Sequence, residues 1–173
     1  DRNFTYVDQK ANEHNLQETL ISLIRLAKYK VLISNAYVIF TPSLKAAIQE
    51  ALDRGVQVSV HTNSATSVDE PVVSVPILKT VKELVEMGAK VYLKKGDTLH
   101  TKAIMIDDYI TGVGSFNFHP RSVRMESEGL LVTISEELNR KAQKMFVADI
   151  APEKSDYINN ASDVVVPYDL PSI

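Results

Sequence analysis

Between residues 15 and 29, apolar side chains fall at Leu16, Leu20, Leu23, Ile24 and Ala27. That spacing predicts a helix with one buried stripe. Arg25, Lys28 and Lys30 at its end complement the carbonyl pole. The run Val31-Leu32-Ile33 follows and predicts a buried strand. Thr41-Pro42-Ser43 is a helix start, with Thr41 as N-cap and proline in the first turn. Leu44, Ala47, Ile48 and Leu52 then face inward until the helix stops at Gly55. Val56, Val58 and Val60 alternate with Gln57 and Ser59, the period-two signature of a strand. A polar loop runs to Pro76, a third helix covers about 77–87 and stops at Gly88, and Ala89–Leu93 reads as the next strand.

This alternation of strand and helix with short connections predicts an α/β fold: a mixed, largely parallel sheet flanked by helices on both faces. Beyond Lys94-Lys95-Gly96-Asp97 the pattern changes to closely spaced short strands. Ala103–Ile106 and Tyr109–Val113 are separated by a tight turn at Asp107-Asp108, and Gly129–Ile134 forms a third. Ser135 caps a last helix through about Phe146, with Leu138, Ala142, Met145 and Phe146 inward. Residues 1–150 thus read as one catalytic domain. Residues 151–173, with Pro152, Pro167 and Pro171, read as a loosely packed tail that touches the domain through Val164–Val166.

Composition adds bounds rather than identity. The 173 residues are 45% hydrophobic and 24% charged, as in ordinary globular chains. A net charge of −3 gives no basic footprint for nucleic acid, although a local cationic pocket can sit in an acidic protein. Cysteine is absent, which removes disulfides and thiolate metal sites. No apolar run reaches the roughly 18 residues of a spanning helix, since VLISNAYVIF at 31–40 is broken by Ser34 and Asn35. The chain opens on Asp1 rather than methionine, so it reads as a segment of a longer protein.

The chemistry concentrates in His100–Glu128. His100-Thr-Lys102 at a strand start puts an imidazole and an ammonium on one face. An imidazole can attack or donate a proton, and the lysine offers a point positive charge for an anionic oxygen. The pair suits a phosphate better than a carbonyl. Gly112-Val-Gly114-Ser115 lacks the Lys-Ser/Thr ending of a P-loop. A metal site from His100, His119, Asp107 and Asp108 matches no familiar ligand spacing. His14 and His61 read as structural, with cleft lining the lesser reading for His61; Phe116 and Phe118 read as core. Lys94-Lys95 is a solvated loop or a phosphate-steering pair.

His100-x-Lys102-x4-Asp107-x6-Gly114-Ser115-x-Asn117 matches without a gap the HxKxxxxDxxxxxxGSxN signature of the phospholipase D superfamily, which the chain therefore resembles. Pro120-Arg121-Ser122 and Glu128 extend the likeness to the C-terminal half of bacterial cardiolipin synthases, over roughly residues 15–135. His119 departs from it, standing where those proteins usually carry aspartate.

The resemblance implies a catalytic set of His100, Lys102, Asp107 and Glu128, and phosphate binding by Lys102, Ser115 and Asn117. His100 would be the nucleophile or the general acid. Glu128 would orient its imidazole, and Asp107 would support the local fold rather than touch phosphate. Arg121 and Arg124 would meet headgroup or nucleic-acid phosphates, or pair with Glu126. No metal or cofactor is implied.

One histidine is half a site. The second motif would come from a preceding N-terminal half or from a homodimer mate. The implied activity is a phosphodiesterase or phosphatidyltransferase acting on phospholipid through a phosphohistidine, in a bacterial protein associated peripherally with membrane. The alternative is a single-motif homodimeric endonuclease on nucleic acid. A non-enzymatic reading is a silent half serving dimerisation or membrane docking.

Overall fold

A computed structural model describes residues 4–8, 15–118 and 128–166, with side chains from residue 16 onward. Among the described residues there are eight strands and four α-helices: β1 (Phe4–Asp8), α1 (Asn15–Leu26), β2 (Lys30–Asn35), α2 (Pro42–Asp53), β3 (Gln57–Asn63), α3 (Ser74–Met87), β4 (Lys90–Lys94), β5 (Lys102–Ile106), β6 (Ile110–Gly114), β7 (Gly129–Ile134), α4 (Glu136–Asp149) and β8 (Ser155–Tyr157). All strands join one sheet in the order β1-β7-β6-β5-β2-β3-β4-β8.

The α/β class and mixed sheet stand, but the largely parallel character does not. Only β2–β3 and β3–β4 are parallel among the described strands; the other five pairings are antiparallel. The helix-connected repeats build the parallel centre. The short connection at Asp107–Tyr109 can only return the chain antiparallel, because a parallel return needs a long crossover.

Local signals explain the helices. Thr41 accepts the Leu44 N–H at 3.3 Å and Ser135 accepts the Leu138 N–H at 3.2 Å, each satisfying an orphan donor of the first turn. α3 begins earlier than its apolar stripe indicates, at Ser74 behind a 3-10 turn over Pro71–Val73. Two clusters show that helices cover both faces. Ile104 and Ile106 of β5 join Val31, Ile33, Val58, Val60 and the buried stripes of α1, α2 and α3. Their neighbours Ala103 and Met105 pack instead with Leu32 and Phe146 of α4.

Residues 151–166 are built into the domain rather than loosely attached. β8 pairs with β4, Ser155 and Val164 are buried, and the 3-10 turn Ala161–Asp163 packs on α3. Their hold comes from backbone pairing and the scattered side chains Ile158, Val164 and Val166, which a scan for apolar periodicity does not detect.

Candidate active site

Register places the chemistry at one edge of the sheet. The parallel strands β2, β3 and β4 end there at Asn35, Asn63 and Lys94. β5 starts there, with Lys102 opposite Asn35. Ala103 pairs with Val113 and Gly114 with Leu130, so β6 ends and β7 begins at the same edge. His100, Lys102, Ser115, Asn117 and Glu128 therefore come to this edge from three chain segments. His100 is exposed, just before β5, and the half-buried Lys102 donates its Nζ to the His100 carbonyl at 2.9 Å.

The Gly114-Ser115 turn is a close backbone approach. A Cβ on Gly114 would fall 2.0 Å from the Gly129 carbonyl oxygen, so glycine is required. Ser115 then donates its N–H to that carbonyl at 3.1 Å, and its Oγ accepts the Gly129 N–H at 3.1 Å. These bonds leave the Ser115 hydroxyl proton available to a phosphate oxygen. They also draw Glu128 to the motif, where its buried carboxylate accepts the Asn117 N–H at 3.1 Å.

Asn117 projects between two core anchors. Phe116 and Phe118 are buried and stack edge to face at 5.4 Å, as their alternation predicts. Asn35, fully buried, fastens both: its Nδ2 donates to the Phe116 carbonyl at 3.0 Å and its Oδ1 accepts the Phe118 N–H at 3.4 Å. The Asn117 Oδ1 is buried without a hydrogen-bond partner among the described residues.

Asp107 is not brought to this edge. It sits past the opposite end of β5, about 16 Å from Lys102 at the strand rise. Its carboxylate accepts backbone N–H groups of Lys28, Tyr29 and Lys30 at 2.9–3.2 Å, pinning the entry to β2. Its role there is structural. A second carboxylate that sequence reasoning passes over, Asp69, lies nearer the imidazole. The Tyr37 hydroxyl hydrogen-bonds Asp69 and is the main cause holding its carboxyl below the usual range. The charge of His100 adds to that depression, so the two groups are within electrostatic reach. Burial first, then Asp69, pushes the Tyr37 hydroxyl up. No spacing rule links residue 69 to residue 100.

His61 is wholly buried, hydrogen-bonded to Ser34 and Ser155, and lines no cleft. Lys94 donates to the Lys95 carbonyl, and Lys95 pairs with Asp156. His14, His119, Pro120, Arg121, Ser122, Arg124 and Glu126 lie outside the described residues.

A mixed sheet covered on both faces, with a histidine, a lysine and a Gly-Ser turn gathered at one edge, defines a phospholipase D-like domain. The chain belongs to the phospholipase D superfamily: the family model for the cardiolipin synthase PLD-like domain matches residues 20–150. Cardiolipin synthase A of Proteus mirabilis is 29% identical over 154 residues, which are 89% of this chain and 30% of that protein. Cardiolipin synthase B of Salmonella typhi is 29% identical over 150 residues, 84% of this chain and 36% of that protein. The chain thus spans about a third of these relatives. Among solved structures, the phospholipase D family member Nuc of Salmonella typhimurium superposes with a TM-score of 0.74 at 19% identity, covering 91% of this chain and 99% of that one. NucT of Helicobacter pylori gives 0.74 at 21%, covering 89% and 98%. The superfamily is one of enzymes, and no described helix is long and apolar enough to cross a membrane.

Proposed function

We propose that this chain is one half of a phospholipase D-type site that cleaves or exchanges the phosphodiester of a phospholipid, as in cardiolipin synthesis or hydrolysis to phosphatidate. The observation that carries the reading is the gathering of His100, Lys102, Ser115, Asn117 and Glu128 at one sheet edge. Their chemistry fits an in-line displacement at phosphorus. A neutral imidazole nitrogen of one histidine attacks; the bond from phosphorus to the leaving alkoxide breaks, and the histidine of the second half supplies its proton. Water or an alcohol then takes the phosphoryl group from the phosphohistidine, returning a proton to that second histidine. His100 takes either role.

Lys102 and the Asn117 carboxamide NH2 hold non-bridging oxygens, with the Ser115 hydroxyl beside them. Glu128 orients the imidazole of His100 as a triad carboxylate does. The partner half comes from a preceding segment or a second copy. Relatives about three times as long support the first. Near-complete coverage of two single-domain structures supports the second, and with it the reading as a homodimeric phosphodiesterase on nucleic acid. The phospholipid reading includes peripheral attachment to a membrane surface.

Incubation with phosphatidylglycerol vesicles and, separately, with plasmid DNA, without added metal, tests the substrate. Lipid turnover abolished by His100→Ala is the expected result. DNA cleavage without lipid turnover would transfer the assignment to the second reading, and turnover retained by His100→Ala would refute the mechanism.

A further inference from the structure

At the end of β3, Asn63 is completely buried, yet its side chain serves no strand pairing. Its Oδ1 accepts the Leu99 N–H at 2.8 Å and the Ser67 hydroxyl at 2.9 Å. Its Nδ2 donates to the Leu99 and Ala36 carbonyls, both at 3.1 Å. An asparagine carboxamide has two acceptor sites and two donors, so all four are used. Both backbone polar groups of Leu99 are thereby paired to one side chain.

Leu99 immediately precedes His100. β5 begins only at Lys102, so no ladder bonds of regular strand fix the backbone where the imidazole departs. The carboxamide of Asn63 does this instead, while Leu99 itself is anchored in the interior at 5% exposure. The same side chain reaches Ala36, which precedes Tyr37, and Ser67, which lies in the turn carrying Asp69. Tyr37 and Asp69 are hydrogen-bonded to each other on the His100 side. One buried group thus joins the three segments around the imidazole.

We propose that Asn63 is a positioning residue for His100, setting the height and direction at which the histidine enters the site. The proposal rests on the reading of His100 as a reacting group. A merely space-filling asparagine would contribute stability alone; a positioning one also controls turnover in protein that is fully folded. Misplacement of a reacting atom by about 1 Å costs on the order of 100-fold in rate.

The test compares three variants of the full chain at temperatures well below their melting points. Asn63→Asp keeps the shape and both acceptors but loses the donors to the Leu99 and Ala36 carbonyls. Folded by circular dichroism, it is expected to lose about 100-fold in kcat, with KM changed by less than about 3-fold. Ser67→Ala leaves the Leu99 pair intact but loosens Asn63; about 3- to 10-fold in kcat is expected. Val58→Ala, in the same strand but buried in the core away from the edge, is expected to lower the melting temperature and keep kcat within about 2-fold. Wild-type kcat in a folded Asn63→Asp or Ser67→Ala variant would overturn the proposal, as would an equal loss in Val58→Ala. If Asn63→Asp does not fold, Ser67→Ala decides.

Two readouts do not need activity. The Leu99 amide of the wild-type chain should exchange hydrogen as slowly as the core strands, and the His100 ring should give one sharp set of NMR signals that broadens or multiplies in Ser67→Ala. A Leu99 amide exchanging like an exposed loop would refute the clamp. Absence of lipid turnover in the wild type, with these signatures present, would count against the assigned reaction and leave the positioning intact.

Discussion

Burial gives His61 a measurable signature. Its ring lies between Ser34 and Ser155, with Nδ1 at 3.4 Å from one hydroxyl and Nε2 at 3.1 Å from the other. Ser155 gives its proton to the Asp149 carbonyl at 2.8 Å, so it can only accept from His61, which fixes the neutral Nε2–H form. Protonation at Nδ1 would break the bond donated by Ser34 and leave a charge in the interior. Burial, the largest cause, lowers the pKa from its ordinary 6.5 to about 4; Lys94 lowers it further and Asp149 opposes. At roughly 1.4 kcal/mol per pH unit, that difference is worth about 3 kcal/mol.

The sign follows from which state binds the proton. Above about pH 6.5 both states are neutral and the stability is intact. As pH falls from about 6.5 to about 4 the unfolded chain takes up a proton that the folded chain refuses, and stability declines; below about 4 the loss is complete. Against a typical total of roughly 5–15 kcal/mol this is a large fraction. Urea denaturation of the wild type and His61→Gln across this range isolates the effect, because the carboxylates contribute equally to both. The variant should be less stable at pH 7.5, by about 1–3 kcal/mol for its poorer hydrogen bonds, and the gap should close as pH falls. Parallel stability curves between pH 6.5 and 4 would refute the account.

Gly114→Ala places a methyl 2.0 Å from the Gly129 carbonyl oxygen, so the β6–β7 junction must open; calorimetry should show a loss of about 2–3 kcal/mol. Because that junction holds Glu128 against Asn117, turnover should fall in the folded fraction as well. Asp107→Asn keeps the left-handed backbone tolerable at φ 50 while weakening the amide cage around Lys28–Lys30. Its denaturation midpoint should fall, for a loss of about 1–3 kcal/mol, with kcat of the folded protein unchanged. A large kcat loss would return Asp107 to the reacting groups.

The helices were legible because each carries an apolar stripe and a cap: Thr41 and Ser135 sit where the structure uses them. The strands of the centre were legible through runs such as Val56–Val60. What runs of residues do not carry is partner identity: the tight turn at Asp107-Asp108 implies that β5 and β6 pair antiparallel, but the antiparallel pairing of β5 with β2 and of β6 with β7 has no such signal. β1 and β8 escaped notice: β1 pairs with a strand over 120 residues away, and β8 is Ser-Asp-Tyr, with no apolar alternation. Within the site, fixed spacing marked His100, Lys102, Ser115 and Asn117. It equally marked Asp107, whose service lies at the other end of the strand. Asn63 carries no signal, since a buried carboxamide binding backbone is indistinguishable in sequence from a polar residue at a strand end.

β8 has a consequence for the fate of the protein in solution. Cut after Asp149, the chain would lose Ser155, the acceptor that keeps the His61 Nε2–H satisfied, and Tyr157 would no longer cover Tyr92. The outer backbone of Tyr92–Lys94 would stand open, beside the apolar side chains of Val91 and Leu93. An uncovered apolar edge recruits strands from other copies. The last described residues therefore cover an edge that could otherwise polymerise, and proteolysis there would leave the folded chain prone to seed aggregates.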